Sequence, residues 1–195
     1  MRLFVSNFVL LKNERRKKME IGDKIYNFKL SNDDNEVITE KDLLGKYTVL
    51  FFFPKALTPG CTKECIAFSD EDNLRIELNT SFSVSENDNS ESEIADKNIL
   101  SDINIEVADI NWVGISADKP ETMKKFRNKY DLKVQLLSDM DKSLAKKMDA
   151  LKSTGGINRS TFIFDNQGTL KYAWKKVKVA NHAKEVSEKL REFIE

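Results

Sequence analysis

At 195 residues the chain is long enough for one domain with a full core and some decoration. Its 32 Lys and Arg balance its 32 Asp and Glu, which argues against a nucleic-acid or membrane surface as the main partner, and no apolar run approaches the ~18–20 residues needed to span a bilayer. Two cysteines four positions apart are too few for a disulfide scaffold and suit a reducing compartment, cytoplasm or nucleus, while a single histidine argues against a zinc or haem site.

The first nineteen residues read as an extension outside the fold. Leu3–Leu11 is apolar and Arg15–Lys18 is basic, the reverse of the order a secretory signal needs. The short basic run reads as solvated charge, with a nuclear import signal as the alternative. From Ile21 the pattern becomes regular. Tyr26–Leu30 alternates as a strand, Asn32-Asp33-Asp34-Asn35 has turn chemistry, and Glu36–Thr39 returns as a second strand. Leu43-Leu44 closes a short helical turn at Gly45. Tyr47–Phe53 is apolar almost throughout, as a strand covered on both faces requires, and Pro54 ends it by withholding a backbone donor.

A helix is expected from about Thr62 to Leu78, with Ile66, Phe68, Leu74 and Leu78 among its apolar positions. Composition then changes. Ser83–Glu93 has Val84 as its only apolar residue and cannot offset its own ordering entropy, so the stretch at about 80–104 is expected to be a disordered surface insertion. Asn111–Ser116 is a strand, Pro120 opens a helix through Tyr130, Val134–Leu137 is a short strand, and Asp141–Met148 a second helix. Ser160–Asp165 and Thr169–Trp174 flank Asn166-Gln167-Gly168 as a hairpin, and Ala183–Ile194 is an amphipathic helix with Val186, Leu190 and Phe193 on one face. This order implies an α/β fold, a central mixed sheet flanked by helices on both faces.

The chemistry concentrates in Phe51–Cys65. An apolar strand runs into a Pro- and Gly-bracketed turn, and Cys61 then falls where the next helix begins. A thiol there faces unpaired backbone N–H groups and the positive end of the helix dipole, which favour the thiolate. Placement alone fits a buried structural cysteine equally well.

Context separates the two. Phe53-Pro-Lys-Ala-Leu-Thr-Pro-Gly-Cys-Thr-Lys-Glu64 resembles the peroxidatic-cysteine motif of peroxiredoxins of the bacterioferritin-comigratory, or Q, type. Val113–Asp118, Gly155–Asp165 and Val177–Ala183 resemble further segments of that family, in the same order. The similarity runs from about Glu20 to the C-terminus and is interrupted by the polar insertion. It implies one thioredoxin-like domain over residues 20–195. It also implies a thiol peroxidase acting on hydrogen peroxide and organic hydroperoxides, re-reduced by thioredoxin or another dithiol, with no metal, haem or flavin, and often monomeric. The runner-up class is a redox-sensing or chaperone-like binding protein that kept the fold but reacts slowly.

By the same resemblance Cys61 is the attacking thiolate and Arg159 the arginine that approaches sulfur and peroxide. Thr58 offers a hydroxyl to them, with a plain turn residue as its alternative, and Pro54 shields the sulfur. Pro59-Gly60 sets the turn, and the Cys61 N–H is a further donor. Glu64 matches a position that helps orient the arginine, its alternative being a solvated carboxylate. These donors matter because an ordinary thiol is roughly 3% ionised at pH 7, so full ionisation gains only about thirtyfold. The larger part of an enzymatic rate has to come from groups aimed at the breaking O–O bond.

Cys65 departs from the family pattern, which usually places a resolving cysteine of this helix five residues after the nucleophile, here Ile66. Residues four apart in an intact helix hold their Cβ atoms ~5–6 Å apart, beyond the ~3.5–4.5 Å of a disulfide. A Cys61–Cys65 bond therefore requires the first helical turn to unwind. Cys65 is the expected resolving thiol; the alternative is an external thiol, with Cys65 merely packed. His182 is expected in a surface or capping role. Trp112 and Trp174 are expected as core or rim aromatics, with pocket lining as the alternative for Trp174.

Overall fold

A computed structural model describes residues 18–72 and 110–194. The polar insertion, the rest of the expected helix beyond Asp72 and residues 1–17 lie outside the described residues. The strands are β1 (Lys29–Asn32), β2 (Val37–Thr39), β3 (Tyr47–Phe52), β4 (Ile110–Ser116), β5 (Gln135–Ser138), β6 (Ser160–Phe164) and β7 (Leu170–Trp174). The helices are α1 (Pro59–Asp72), α2 (Pro120–Tyr130), α3 (Ser143–Lys147) and α4 (His182–Ile194), with a 3-10 turn at Glu40–Leu43.

The strands form one mixed sheet in the order β2-β1-β5-β4-β3-β6-β7. β3, β4 and β5 run parallel; β6 pairs antiparallel with β3, and β1 antiparallel with β5. Alternation along β3 divides the core. Val49, Phe51 and Phe53 pack with Phe68 of α1, Met123 and Phe126 of α2, and Val186 and Leu190 of α4. Leu50 and Phe52 face the other side, against Leu144 and Ala145 of α3 and the N-terminal Ile25 and Phe28. Helices thus cover both faces, as the element order implied. Phe51 stacks on Phe68 with ring centroids 4.3 Å apart, tying β3 to α1, and Gly114 of β4 makes room for it. A Cβ on Gly114 would stand 2.8 Å from the Phe51 ring.

Several boundaries shift for physical reasons. Met19, expected in the extension, is buried in the core beside Ile25 and Phe28, so the fold begins before residue 20. The first strand forms at Lys29–Asn32 instead of Tyr26–Leu30, because the Phe28 N–H is drawn to the Glu40 carboxylate at 3.1 Å and not to a ladder. The short helix opens at Ser143 instead of Asp141. Lys142 sits in the left-handed region (φ 57°), while the Asp139 carboxylate accepts the N–H groups of Leu144 and Ala145. α1 opens three residues before the expected Thr62, at Pro59, whose missing N–H and preset φ suit a first helical position.

Candidate active site

Topology brings the site together at the C-terminal ends of the central parallel strands. Parallel strands β3 and β4 end side by side, so the loops that follow them lie next to each other, where α/β sheets commonly bind ligands. Antiparallel β6 begins at that same end of the sheet. Its register opposes Ser160 to Phe52, which puts Arg159 beside the exit of β3.

The loop between β3 and α1 is sharply bent. The Phe53 N–H still bonds the Ile115 carbonyl at 3.0 Å, and Pro54 then stops the ladder. Leu57 lies in the left-handed region (φ 62°), a conformation costing a non-glycine residue about 1–2 kcal/mol. Thr58 accepts the Thr62 N–H on its carbonyl at 2.8 Å, which makes it the cap residue of α1 and places Cys61 in the first turn. The Thr58 hydroxyl differs from its expected contact. It donates to the Lys55 carbonyl at 3.0 Å and not to the sulfur, because the bend at Leu57 turns that carbonyl toward it.

The other expected partners converge. Arg159 donates through Nη2 to the Cys61 sulfur at 3.1 Å and through Nη1 to the Glu64 carboxylate. Cys61 and Glu64 are buried, and Arg159 is largely so. The Glu64 alternative of a solvated carboxylate is overturned: its side chain is 2% exposed. Burial pushes its carboxyl up to about 7, a rise that the adjacent guanidinium opposes but does not cancel. Its second oxygen, Oε1, has no hydrogen-bond partner among the described residues. Gly60 does more than shape a turn. A Cβ there would stand 3.1 Å from Arg159 Nη2, so the absent side chain is the space the guanidinium needs to reach sulfur.

Cys65 is buried one turn further along α1. Burial pushes its thiol well above the ordinary range, with the charges of Glu64 and Cys61 adding to the effect. Both cysteines are free thiols, and no disulfide links them in this state.

His182 corrects its expectation. It is the first residue of α4 but buried, with Nε2 at 2.8 Å from the Thr161 hydroxyl and its ring edge-on to Phe68 and Trp174. Burial lowers its pKa, which favours the neutral imidazole. Trp112 is core, packed on Phe68, and Trp174 is half-buried against Tyr172 and His182. Sequence reasoning assigned no role to Asp118. Its carboxylate accepts the Ala56 N–H at 2.7 Å and so holds the cysteine loop from β4. The signal was a carboxylate just past a strand end, inside a segment already singled out.

A free thiol in a first helical turn, facing an arginine at the strand ends of a mixed α/β sheet, defines a thiol-based redox enzyme. Comparison with known proteins makes this specific. The AhpC/TSA family pattern matches residues 21–109 and 98–173. The peroxiredoxin Bcp of Bacillus subtilis is 33% identical over 184 residues, covering 91% of this chain and 98% of that protein. Among solved structures, a PrxQ variant from Xylella fastidiosa superposes with a TM-score of 0.70 at 26% identity, over 92% of this chain and 99% of that one. The bacterioferritin comigratory protein of Xanthomonas campestris does so at 0.65 and 27%, over 86% and 92%. The chain belongs to the AhpC/TSA family and is a peroxiredoxin of the bacterioferritin-comigratory, or Q, type. It is therefore a thiol peroxidase on a thioredoxin-like α/β fold, using a peroxide substrate and a thiol reductant.

Proposed function

We propose that Cys61 is the peroxidatic thiolate, activated by Arg159, and that Cys65 is the resolving thiol. The contact from Arg159 Nη2 to the sulfur carries this reading. A guanidinium is a fixed positive fork that can stabilise charge on sulfur and on an oxygen bound beside it. The thiolate attacks one peroxide oxygen, the O–O bond breaks, and the departing oxygen takes a proton to leave as water or an alcohol. Sulfur is oxidised to a sulfenic acid and the peroxide is reduced by the same two electrons. Cys65 then displaces water from that sulfenic acid, forming a disulfide. An external dithiol of the thioredoxin kind reduces the disulfide by exchange.

Pro54, which ends β3 at the site, shields the sulfur from water in this reading, and Glu64 steadies the arginine. Thr58 acts first through the loop, as cap of α1, and reaches peroxide only by exchanging its bond to Lys55. Burial of Cys65 supports a resolving step that follows unwinding of the first turn, since an encased protonated thiol is a poor nucleophile. Hydrogen peroxide and organic hydroperoxides are both substrates in this proposal. The study of the Xanthomonas protein concerns alkyl peroxide reduction, which supports the second class. The protein works as a monomer in the cytoplasm or nucleus, a setting suited to a chain whose two cysteines are too few for a disulfide scaffold.

A steady-state assay comparing thioredoxin, glutaredoxin and glutathione tests the reading. Catalytic peroxide consumption, lost in Cys61→Ser and fastest with thioredoxin, is expected; slow stoichiometric oxidation would indicate a sensor instead. Intact-mass measurement after one equivalent of peroxide tests the resolving step. A loss of two hydrogens is expected, and a stable sulfenate with Cys65 still alkylatable would reject it.

A further inference from the structure

We propose that Asp118 is a positioning residue for the peroxidatic cysteine, acting through the loop that leads into α1. One carboxylate oxygen, Oδ2, accepts both the Ala56 N–H at 2.7 Å and the Ser116 hydroxyl at 2.8 Å, while the Asp118 N–H returns to the Ser116 oxygen at 3.2 Å. The Ser116 side chain is buried at the end of β4, so the carboxylate is anchored to the sheet before it reaches the loop. Its grip falls on the residue just before Leu57, the one held in the left-handed region. A loop containing such a residue relaxes unless its surroundings hold it, and a charge-assisted bond to the preceding N–H does so.

Position is the commodity at stake. Thr58 caps α1 and Cys61 lies in its first turn, so any drift of residues 54–58 moves the sulfur relative to Arg159. Asp118 touches neither sulfur nor guanidinium in the hydrogen bonds of the site; it acts on them by setting where the helix begins. The inference rests on Cys61 being the nucleophile.

Two reactions of the same sulfur separate positioning from mere stability. Oxidation by hydrogen peroxide needs the donors in place, whereas alkylation by iodoacetamide needs only an accessible thiolate; both rates are taken at their high-pH plateaus, where the thiol is ionised in parent and variant alike and any change in thiolate fraction drops out. In Asp118→Ala the second-order rate of oxidation is expected to fall at least about tenfold, since small misplacements of reacting groups cost up to about a hundredfold. Alkylation should hold within twofold or rise. Asp118→Asn keeps an acceptor oxygen for the Ala56 N–H and should retain oxidation within about threefold. Oxidation of D118A within twofold of the parent, a parallel fall of both reactions, or no rescue by D118N would overturn the proposal. Should D118A not fold, Ser116→Ala carries the test: a severalfold fall in oxidation alone supports it, and no change overturns it. Cys61→Ser separates the levels. If C61S is inactive and D118A behaves as the parent, only this inference falls; if C61S still turns over peroxide, the reading of Cys61 falls and takes the inference with it.

Discussion

Among the described residues, two arginine–carboxylate pairs have an acid that is 2% exposed, and they are built differently. Arg127 of α2 meets Asp33 of the β1–β2 turn with both ends of its fork, Nε to one oxygen and Nη2 to the other. Apart from a longer bond from Nη1 to the Leu132 carbonyl at 3.4 Å, its hydrogen bonds close within the pair. Arg159 instead divides its fork, one nitrogen on Glu64 and the other on the Cys61 sulfur, and leaves Glu64 Oε1 without a partner among the described residues. The first pair joins two elements. The second holds one donor on a sulfur, the donor that the proposed function uses for chemistry, and tolerates an unsatisfied buried oxygen, a departure from full polar satisfaction expected at functional sites.

The contrast can be broken most directly at the arginines. Arg159→Gln is expected to slow Cys61 oxidation by peroxide about 10²–10³-fold, the loss seen when one preorganised donor is removed from a reacting oxygen. Stopped-flow single-turnover rates measure it, and a loss under tenfold would place Arg159 with the structural pair. Arg127→Gln should do the opposite. It leaves buried Asp33 unpaired and costs about 2–3 kcal/mol in urea denaturation, at or below the usual figure for a broken buried pair because Arg127 is partly exposed. The oxidation rate per folded molecule should stay within twofold.

Glu64→Gln sharpens the comparison through pH. The folded protein holds the Glu64 proton up to about pH 7, whereas the unfolded chain releases it near 4.5. Between these values the folded state binds more protons, so stability falls as pH rises through the window and levels above it. The variant should lack that slope when unfolding is followed from pH 4.5 to 8; an unchanged slope removes Glu64 as its source. Its oxidation rate should drop about tenfold, as Arg159 exchanges a charge-assisted bond for a weaker one to a neutral amide oxygen. The smallest effect is expected from Gly60→Ala. A methyl 3.1 Å from Arg159 Nη2 pushes the guanidinium back by a few tenths of an ångström, and oxidation should slow severalfold with little change in melting temperature. A rate equal to the parent's would mean the fork tolerates the displacement.

Much of the architecture was legible because local chemistry and tertiary role agree. Pro120 opens α2 at the expected residue and Tyr130 ends it. The Asn32–Asn35 turn forms as its residue types require: Asn32 Oδ1 accepts the N–H groups of Asp34 and Glu36, and Asn35 takes a left-handed conformation. The hairpin at Asn166–Gly168 closes with Gly168 at φ 72°. At Phe28 and His182, where the expectation missed, a distant partner had intervened. The Glu40 carboxylate diverted the Phe28 N–H from a strand, and packing against Thr161, Phe68 and Trp174 buried a histidine that local polarity places at the surface.

From the order of its residues alone, this chain specifies a covered strand, a proline-ended turn and a cysteine at a helix start, since strand period, missing donors and helix ends are local properties. The likeness of its motifs to a known family added Arg159 and Glu64 as partners for that cysteine. Only the folded molecule decided how they meet: that Gly60 clears a path for a guanidinium, and that Asp118 grips Ala56 from 62 residues away. Those outcomes depend on which strands pair and in what register. Contacts between residues so far apart in the chain exist only once the sheet has closed.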